Sequence, residues 1–250
     1  MNELMVRGDS LPEAYHMALR YLNYCGEMTD CKAWDTKQLE CSMTILVRKP
    51  FKEPMISKFF IGGTRELQEY VMEMLDGIKD FEIEKGNWAY TYHDRYVKQV
   101  PFIIDELRKD PSSRRAVMMI RDESDIGSDD PACWNHAQYF IRDDKLHCKA
   151  LFRSNDACKA TFMNMFAIIM IQKRIADTLG IEVGTYTHRA NSFHCYEKDI
   201  PMLEGYCKRI ESAKDDEDVA FYYDDEDGWK PEMESLKSQI LADVEELKKR

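Results

Sequence analysis

AQYFIRDDKLHCKALFR, residues 137–153, is closely followed by FMNMFAIIMIQKRIADTL, residues 162–179, and these two stretches decide the fold. In the first, apolar and polar side chains alternate on both sides of a polar turn, Arg142-Asp143-Asp144-Lys145, which predicts a β-hairpin. The second is apolar around most of its circumference, which predicts a helix buried in the core. A hairpin beside a buried helix indicates an α+β domain.

The same reasoning extends to the N-terminal side. Ser10, Pro12 and Glu13 form a helix-start pattern, and apolar residues at helical spacing continue it over residues 11–23. Periodicity predicts further elements, namely helices over residues 65–77 and 100–108 and strands over residues 40–48 and 114–120. We see no internal repeat and no Gly/Ser linker, so a single domain is the simplest interpretation.

Composition changes toward the C-terminus. Residues 214–227 contain eight acidic residues and one lysine, and residues 231–250 have a strongly charged helical pattern. We therefore divide the chain into a main domain, residues 1–210, and a segment of residues 211–250 that we expect to pack on the same domain.

Charge and hydropathy exclude several classes of function. With 35 Lys and Arg against 46 Asp and Glu, the net charge is −11, the wrong sign for a general nucleic-acid or anionic-membrane binder. The longest apolar run, around residues 163–171, is too short to span a bilayer. Without a signal-like N-terminus, a cytoplasmic location is the expectation. The eight cysteines lack zinc-site spacing, so we predict no metal.

Four groups of residues could carry chemistry. Cys133 follows a polar loop and precedes a strand, which suits a nucleophile, although a buried and inert cysteine is the alternative. The segment Arg153–Asp156 could bind an anion, or Asp156 could simply cap a helix. The pair Arg114 and Arg115 precedes an apolar strand, where a solvated strand end is the alternative. Asn164 lies within an apolar helix, where its amide needs polar partners.

Taken in order, these motifs resemble those of the thymidylate synthase family. The resemblance is strong over residues 88–199 and rests on Tyr90-Thr91-Tyr92-His93-Asp94-Arg95, Pro111-Ser112-Ser113-Arg114-Arg115, Pro131-Ala132-Cys133, Gln138, Arg153-Ser154-Asn155-Asp156, Asn164 and His194-Cys195-Tyr196. The segment Arg7–Leu11, which leads into a helix, is similar to the short archaeal-type members. The resemblance implies a catalytic domain with a large mixed β-sheet flanked by helices.

The resemblance also implies a reaction. The chain would methylate dUMP at C5 to give dTMP, with 5,10-methylenetetrahydrofolate or a tetrahydromethanopterin analogue as the one-carbon donor. Cys133 would attack C6 of the pyrimidine, and Arg153 would bind phosphate and favour the thiolate. Tyr92 belongs to the same catalytic set. We place the acid that organises proton-transfer water at Glu69. Glu66 and Glu73, on the same or neighbouring helical faces, are the alternatives for this role or are surface charges.

The substrate-binding set follows from the same resemblance. Asn164 would donate to O4 of uracil and accept from N3–H, whereas an ionised aspartate there would suit cytosine. The two arginines would reach the phosphate from the other subunit of a homodimer. The full predicted set is Arg114, Arg115, Gln138, Arg153, Ser154, Asp156, Asn164, His194 and Tyr196.

Departures from the family pattern leave two alternatives open. Trp134 stands where a histidine is common, and the sequence ends in charged residues where the family has an apolar tail that covers the folate. Water admitted there would give a hydroxymethyl product, so the first alternative is a dUMP, dCMP or CMP hydroxymethylase. The second is a catalytically inactive nucleotide-binding protein.

Overall fold

The chain folds around a mixed β-sheet, seen in a computed structural model that describes residues 1–249. The strands are β1 (Glu3–Gly8), β2 (Glu27–Cys31), β3 (Thr36–Val47), β4 (Ile56–Ser57), β5 (Val117–Met119), β6 (Trp134–Arg142), β7 (Lys145–Asp156), β8 (Glu182–Tyr196) and β9 (Ala220–Phe221). The helices are α1 (Leu11–Cys25), α2 (Thr64–Asp76), α3 (Phe81–Glu84), α4 (Tyr92–Val97), α5 (Val100–Lys109), α6 (Thr161–Leu179), α7 (Ile200–Ser212) and α8 (Trp229–Lys248).

The main sheet has seven strands in the order β1-β3-β8-β7-β6-β5, and β2 pairs with β3 beside this path. The pairs β1·β3 and β7·β8 are parallel, whereas β2·β3, β3·β8, β6·β7 and β5·β6 are antiparallel. The short strands β4 and β9 form a second sheet. The predicted α+β class with a large mixed sheet flanked by helices is confirmed.

The hairpin and the buried helix lie where the sequence predicts them. The turn between β6 and β7 places Asp143 and Asp144 at φ 51° and 55°, as a two-residue hairpin turn requires. Helix α6 packs against β7 and β8, and the buried Gln172 amide donates to the Leu146 carbonyl at 2.7 Å. This hydrogen bond ties the middle of the helix to the sheet.

Within residues 1–249, burial along the strands indicates that the helices cover only one face of the sheet. Along β8, Tyr186, His188 and Ala190 are buried, whereas Thr187 and Arg189 between them remain partly exposed. Since strand side chains alternate between faces, the buried set faces the helical layer and the other set faces outward. A sheet with one face uncovered has room for a second protein layer there.

The C-terminal helix packs on the helix that borders the site. Met72 and Ile78 bury their side chains with Ile240 and Val244 of α8 in a small apolar cluster. At the edge of this contact, Arg65 Nη2 lies 2.5 Å from Asp243 Oδ2. Helices α2 and α8 are therefore joined by both apolar and ionic contacts. None of the helices within residues 1–249 combines the length and apolarity that crossing a membrane requires.

Candidate active site

Cys133 lies immediately before β6 and is partly exposed. Burial raises the pKa of its thiol above the usual value, while the neighbouring Arg153 guanidinium lowers it. Asp130 acts in the same direction as burial, and Arg121 acts with Arg153. The thiol is thus reachable, and its ionisation depends on nearby cations.

Arg153 on β7 holds the segment that carries Cys133. Its backbone N–H donates to the Cys133 carbonyl at 2.8 Å. Its Nε donates to the Ala132 carbonyl at 3.1 Å and its Nη2 to the Pro131 carbonyl at 2.7 Å. Within residues 1–249, Nη1 makes no side-chain hydrogen bond, so one nitrogen of the fork remains available for an anion.

Tyr92, the first residue of α4, places its hydroxyl beside the same segment. The hydroxyl accepts a hydrogen bond of 3.4 Å from the Trp134 N–H, and the two rings pack edge to face with centroids 5.6 Å apart. Burial raises the pKa of Tyr92, and the nearby Cys133 raises it further. Tyr92 is therefore a neutral hydroxyl next to the thiol.

The segment Arg153–Asp156 is fixed from inside the core. The Asn155 side chain is only 4% exposed, and its Oδ1 lies 2.9 Å from both His188 Nε2 and Thr161 Oγ1. The His188 Nδ1 in turn lies 2.9 Å from the Tyr186 hydroxyl. This buried chain of polar contacts anchors one side of the segment and leaves Ser154 and Asp156 on the other side.

Asp156 caps a turn rather than α6. Its Oδ1 accepts hydrogen bonds from the N–H groups of Cys158 at 3.0 Å and Lys159 at 2.9 Å. Helix α6 starts only at Thr161, with Ala160 at its N-cap position. The alternative in which Asp156 caps the buried helix is therefore wrong, because a turn separates Asp156 from α6.

His194 and Tyr196 extend from β8, which runs parallel to β7. The register places Asp156 opposite His194, and Ser154 Oγ lies 3.4 Å from His194 Nδ1. Burial lowers the pKa of His194, so the ring is held neutral. Its Nε2 is buried and has no hydrogen-bond partner within residues 1–249. A buried polar atom left unpaired in this way is suited to a polar group of a ligand.

Asn164 is buried near the start of α6, and its partner comes from α2. The Tyr70 hydroxyl donates to Asn164 Oδ1. The helical periodicity over residues 65–77 predicts an apolar position at Tyr70 and no further role for it. Its spacing on the buried face of α2 was the available signal, but only the packing of α2 on α6 shows where its hydroxyl points.

The two glutamates of α2 nearest Tyr70 have different surroundings. Glu69 Oε1 lies 2.8 Å from Lys79 Nζ, and its side chain is 31% exposed. Glu73 lines a cavity of about 420 Å³ together with Trp88 and Tyr92. Burial raises the pKa of Glu73 to about 7, with Glu69 acting in the same direction and Lys79 against it. From the sequence, Glu73 is an alternative to Glu69 for the acid or a surface charge.

Gln138 and the arginine pair lie away from the nucleophile within one chain. Gln138 Nε2 donates to the Arg114 carbonyl at 2.9 Å, and Gln138 is opposite Val117 in the β5·β6 register. At about 3.4 Å per residue, Gln138 is roughly 17 Å along the strand from Cys133. Arg114 and Arg115 are exposed, and neither forms an ion pair within residues 1–249. The fold thus does not bring them to Cys133 of the same chain.

Comparisons with known proteins agree on one family. The family model described as thymidylate synthase matches residues 27–219. A Methanocaldococcus jannaschii protein, provisionally named a thymidylate synthase, is 27% identical over 213 residues, 81% of this chain and 96% of its own length. A thymidylate synthase from Bacillus licheniformis is 30% identical over 125 residues, 50% of this chain and 45% of that protein.

A solved structure is similar in fold. Thermostable thymidylate synthase A from Bacillus subtilis superposes with a TM-score of 0.63, covering 80% of this chain and 84% of that chain. The sequence identity is 17%, so this likeness concerns the fold alone.

Proposed function

We propose, since this chain belongs to the thymidylate synthase family, that it methylates dUMP at C5 to give dTMP through a covalent bond between Cys133 and C6 of the pyrimidine. The observation that carries the proposal is the attachment of Arg153 to the segment around Cys133, by its backbone and its side chain. One residue thereby holds the nucleophile in place, supplies a cation beside it and keeps a donor free for phosphate.

The remaining contacts with dUMP involve residues that surround this pair. The unpaired Nε2 of His194 suits the deoxyribose hydroxyl, with Tyr196 beside it. Ser154 would add a phosphate contact, and Asp156 would reach the base through its backbone. Asn164, buried near the start of α6, would bind the uracil edge. These contacts are proposals supported by the placement described above. The contact of Gln138 with dUMP stays a prediction, because Gln138 lies away from Cys133 of the same chain, where its side chain bonds to the Arg114 carbonyl.

The second substrate is proposed to be a reduced pterin. Bound 5,10-methylenetetrahydrofolate, or a tetrahydromethanopterin analogue, supplies the one-carbon unit and the reducing hydride. The cavity beside Tyr92 suits such a group, because Trp88 and Tyr90 offer aromatic faces to a flat ring system. Its two carboxyl groups, from Glu73 and Asp130, can accept the ring N–H donors. Tyr92 and a glutamate of α2, Glu69 in our assignment, would move protons at C5 of the pyrimidine.

We propose that two copies of the chain form a homodimer. The uncovered sheet face offers an extended surface, and the exposed Arg114 and Arg115 lie too far along the sheet to serve Cys133 of their own chain. A second copy could bring them to the phosphate site, where they would complete the anion clamp that Arg153 begins. A cytoplasmic location stays a prediction.

Hydroxymethylation is the second candidate, and the docking of Leu247 and Lys248 on α3 supports it. Lys85 Nζ donates to the Leu247 carbonyl at 2.8 Å, and Lys248 Nζ lies 5.6 Å from the Phe81 ring centre. Residues near the end of α8 are thus docked on α3. If they stay there during turnover, water can reach the methylene group on C5 and give a hydroxymethyl nucleotide.

Product analysis tests the proposal. The protein is incubated with dUMP and 5,10-methylenetetrahydrofolate, and nucleotides and pterins are identified by mass spectrometry. Formation of dTMP with dihydrofolate supports methylation, whereas hydroxymethyl-dUMP with tetrahydrofolate supports the second candidate. Cys133→Ala is the control and should abolish either product. Binding of dUMP without turnover, with either donor, would indicate a catalytically inactive nucleotide-binding protein.

A further inference from the structure

We infer that Tyr70 determines the base preference of the site by fixing the orientation of the Asn164 carboxamide. The inference rests on the proposed function, because it concerns which pyrimidine the site accepts. It starts from one contact between two helices, in which the Tyr70 hydroxyl of α2 donates to Asn164 Oδ1 near the start of α6. Asn164 is 6% exposed and Tyr70 is partly buried against the core, so this contact is shielded from most of the bulk water.

A carboxamide has an accepting end and a donating end, and only one end can face Tyr70. With Oδ1 bound to the hydroxyl, the Nδ2 group makes no hydrogen bond within residues 1–249. Asn164 therefore keeps two donor hydrogens for a ligand, together with the second lone pair of Oδ1. Uracil presents an acceptor at O4 and a donor at N3–H, which match these groups. Cytosine presents an amino group and an unprotonated N3, which do not.

The reverse orientation leaves Tyr70 without an acceptor. If the amide rotated by half a turn, its NH2 group would face the tyrosine oxygen, and the hydroxyl proton would lose its only hydrogen bond within residues 1–249. Leaving a buried donor unpaired is costly. Burial also raises the pKa of Tyr70 well above its usual value, with Tyr92, Glu73 and Cys133 adding to the shift. The hydroxyl therefore stays protonated and donates throughout the working pH range.

Without this hydroxyl, the amide could adopt either orientation. Tyr70→Phe keeps the ring and its packing but removes the donor, so the amide can turn to suit cytosine. We expect affinity for dUMP to fall about threefold and affinity for dCMP to rise, narrowing the ratio of the two dissociation constants about tenfold or more.

The experiment compares dUMP and dCMP binding by calorimetry, without a pterin, in wild type and Tyr70→Phe. The matched control is Tyr96→Phe, which removes another buried tyrosine hydroxyl bonded to α2, here to the Met74 carbonyl at 2.6 Å. This control should change both affinities by the same factor, because Tyr96 has no contact with Asn164. Near-UV circular dichroism confirms that both variants are folded.

The outcomes separate the inference from the proposed function. A narrowed dUMP-to-dCMP ratio in Tyr70→Phe alone supports the inference. An unchanged ratio, or the same narrowing in Tyr96→Phe, would overturn it while leaving the proposed function standing. If the wild-type protein bound neither nucleotide, the proposed function itself would be wrong, and the inference would fall with it. A Tyr70→Phe variant that does not fold is replaced by Tyr70→Met, which also removes the hydroxyl, leaves Asn164 intact and should narrow the ratio similarly.

Discussion

The backbone N–H of Arg153 donates to the carbonyl of Cys133 at 2.8 Å, so the residue that supplies the cation is also a strand neighbour of the nucleophile. The side chain returns to the carbonyls of Pro131 and Ala132. A mobile surface arginine could supply a positive charge but could not hold the segment that carries Cys133 in place. Here the sheet and the three hydrogen bonds fix both the charge and the position of Arg153 beside the segment that carries Cys133.

Arg153→Lys should separate charge from geometry. Lysine keeps the cation but lacks the planar fork, so it cannot hold both carbonyls and reach a phosphate. Losing two charge-assisted hydrogen bonds corresponds to about 3 kcal/mol, or a fall in kcat/KM for dUMP of about 100-fold. Iodoacetamide labelling of Cys133, followed by peptide mass spectrometry, should require higher pH because the cation is less well placed. Arg108→Lys, at the surface, is the control. A loss below threefold would argue against the clamp.

His188→Gln should weaken the pH dependence of stability. Burial lowers the pKa of His188 to about 3, so below pH 6.5 the unfolded chain binds a proton there that the folded chain does not. Stability from this residue is present above pH 6.5 and is lost as the pH falls toward 3. Glutamine can keep the contacts with Asn155 and Tyr186 without titrating. Between pH 7.5 and 5, the variant should lose about 2 kcal/mol less than wild type in urea unfolding. If the unfolding free energies of His188→Gln and wild type fell by the same amount over this pH range, the prediction would be contradicted.

Glu73→Gln should have the opposite pH signature. Burial raises the pKa of Glu73 to about 7, so the folded state retains a proton that the unfolded state loses above pH 4.5. Stability from this residue is present at low pH and is lost as the pH rises through about 7. Relative to wild type, the variant should gain about 2 kcal/mol between pH 5 and pH 9, measured by urea unfolding. If the unfolding free energies of Glu73→Gln and wild type differed by the same amount at pH 5 and pH 9, Glu73 would not titrate in this range.

The same variant addresses which glutamate serves catalysis. Glu69 is paired with Lys79 and partly exposed, whereas Glu73 lies in the cavity beside Tyr92. If Glu69 organises proton transfer as we assign it, Glu69→Gln should lower kcat by about 100-fold and more than Glu73→Gln does. The reverse order, in steady-state rates at pH 7.5, would transfer the role to Glu73.

Two inactive variants should complement each other in a mixed dimer. Cys133→Ala removes the nucleophile and Arg115→Ala removes one arginine of the exposed pair. In a shared site, the heterodimer contains one site with both residues intact, so mixing after mild denaturation and refolding should restore about a quarter of wild-type activity, on the statistics of random pairing in a symmetric dimer. Refolding each variant alone is the control. Absence of rescue, with dimers seen by light scattering, would place Arg115 outside the site.

Much of the fold follows from the sequence, because periodicity reports burial directly. The predicted helix over residues 65–77 corresponds to Thr64–Asp76, and that over residues 100–108 to Val100–Lys109. The long central strand Glu182–Tyr196 was missed, and its last three residues were singled out only as a motif, not as a strand. Its inward side chains include His188, and a histidine rarely signals a core. His188 can be buried in the core because the Tyr186 hydroxyl and Asn155 Oδ1 are hydrogen-bond partners for its two ring nitrogens.

The candidate site, like the fold, could be predicted from the sequence only in part. Cys133, Arg153 and His194 could be predicted because short motifs carry them and the order of motifs is informative. The relation of Tyr70 to Asn164 could not, because it depends on two helices whose sequences say only that each has a buried face. Which polar groups of the two helices form a hydrogen bond depends on how the helices are rotated relative to each other in the packed structure.

The packing of α8 on α2 has a consequence for synthesis. Arg65 of α2 donates a hydrogen bond to Asp243 of α8, although the two residues are 178 positions apart in the sequence. Helix α2 can therefore pack against α8 only after residues 229–248 have left the ribosome. Until then, Met72 and Ile78 lack the apolar partners of α8. Because domains generally begin to fold from the N-terminal side during translation, the nascent sheet and α6 would precede a finished α2. Completion of the region around Tyr70 and Asn164 would then be one of the last events in making the protein.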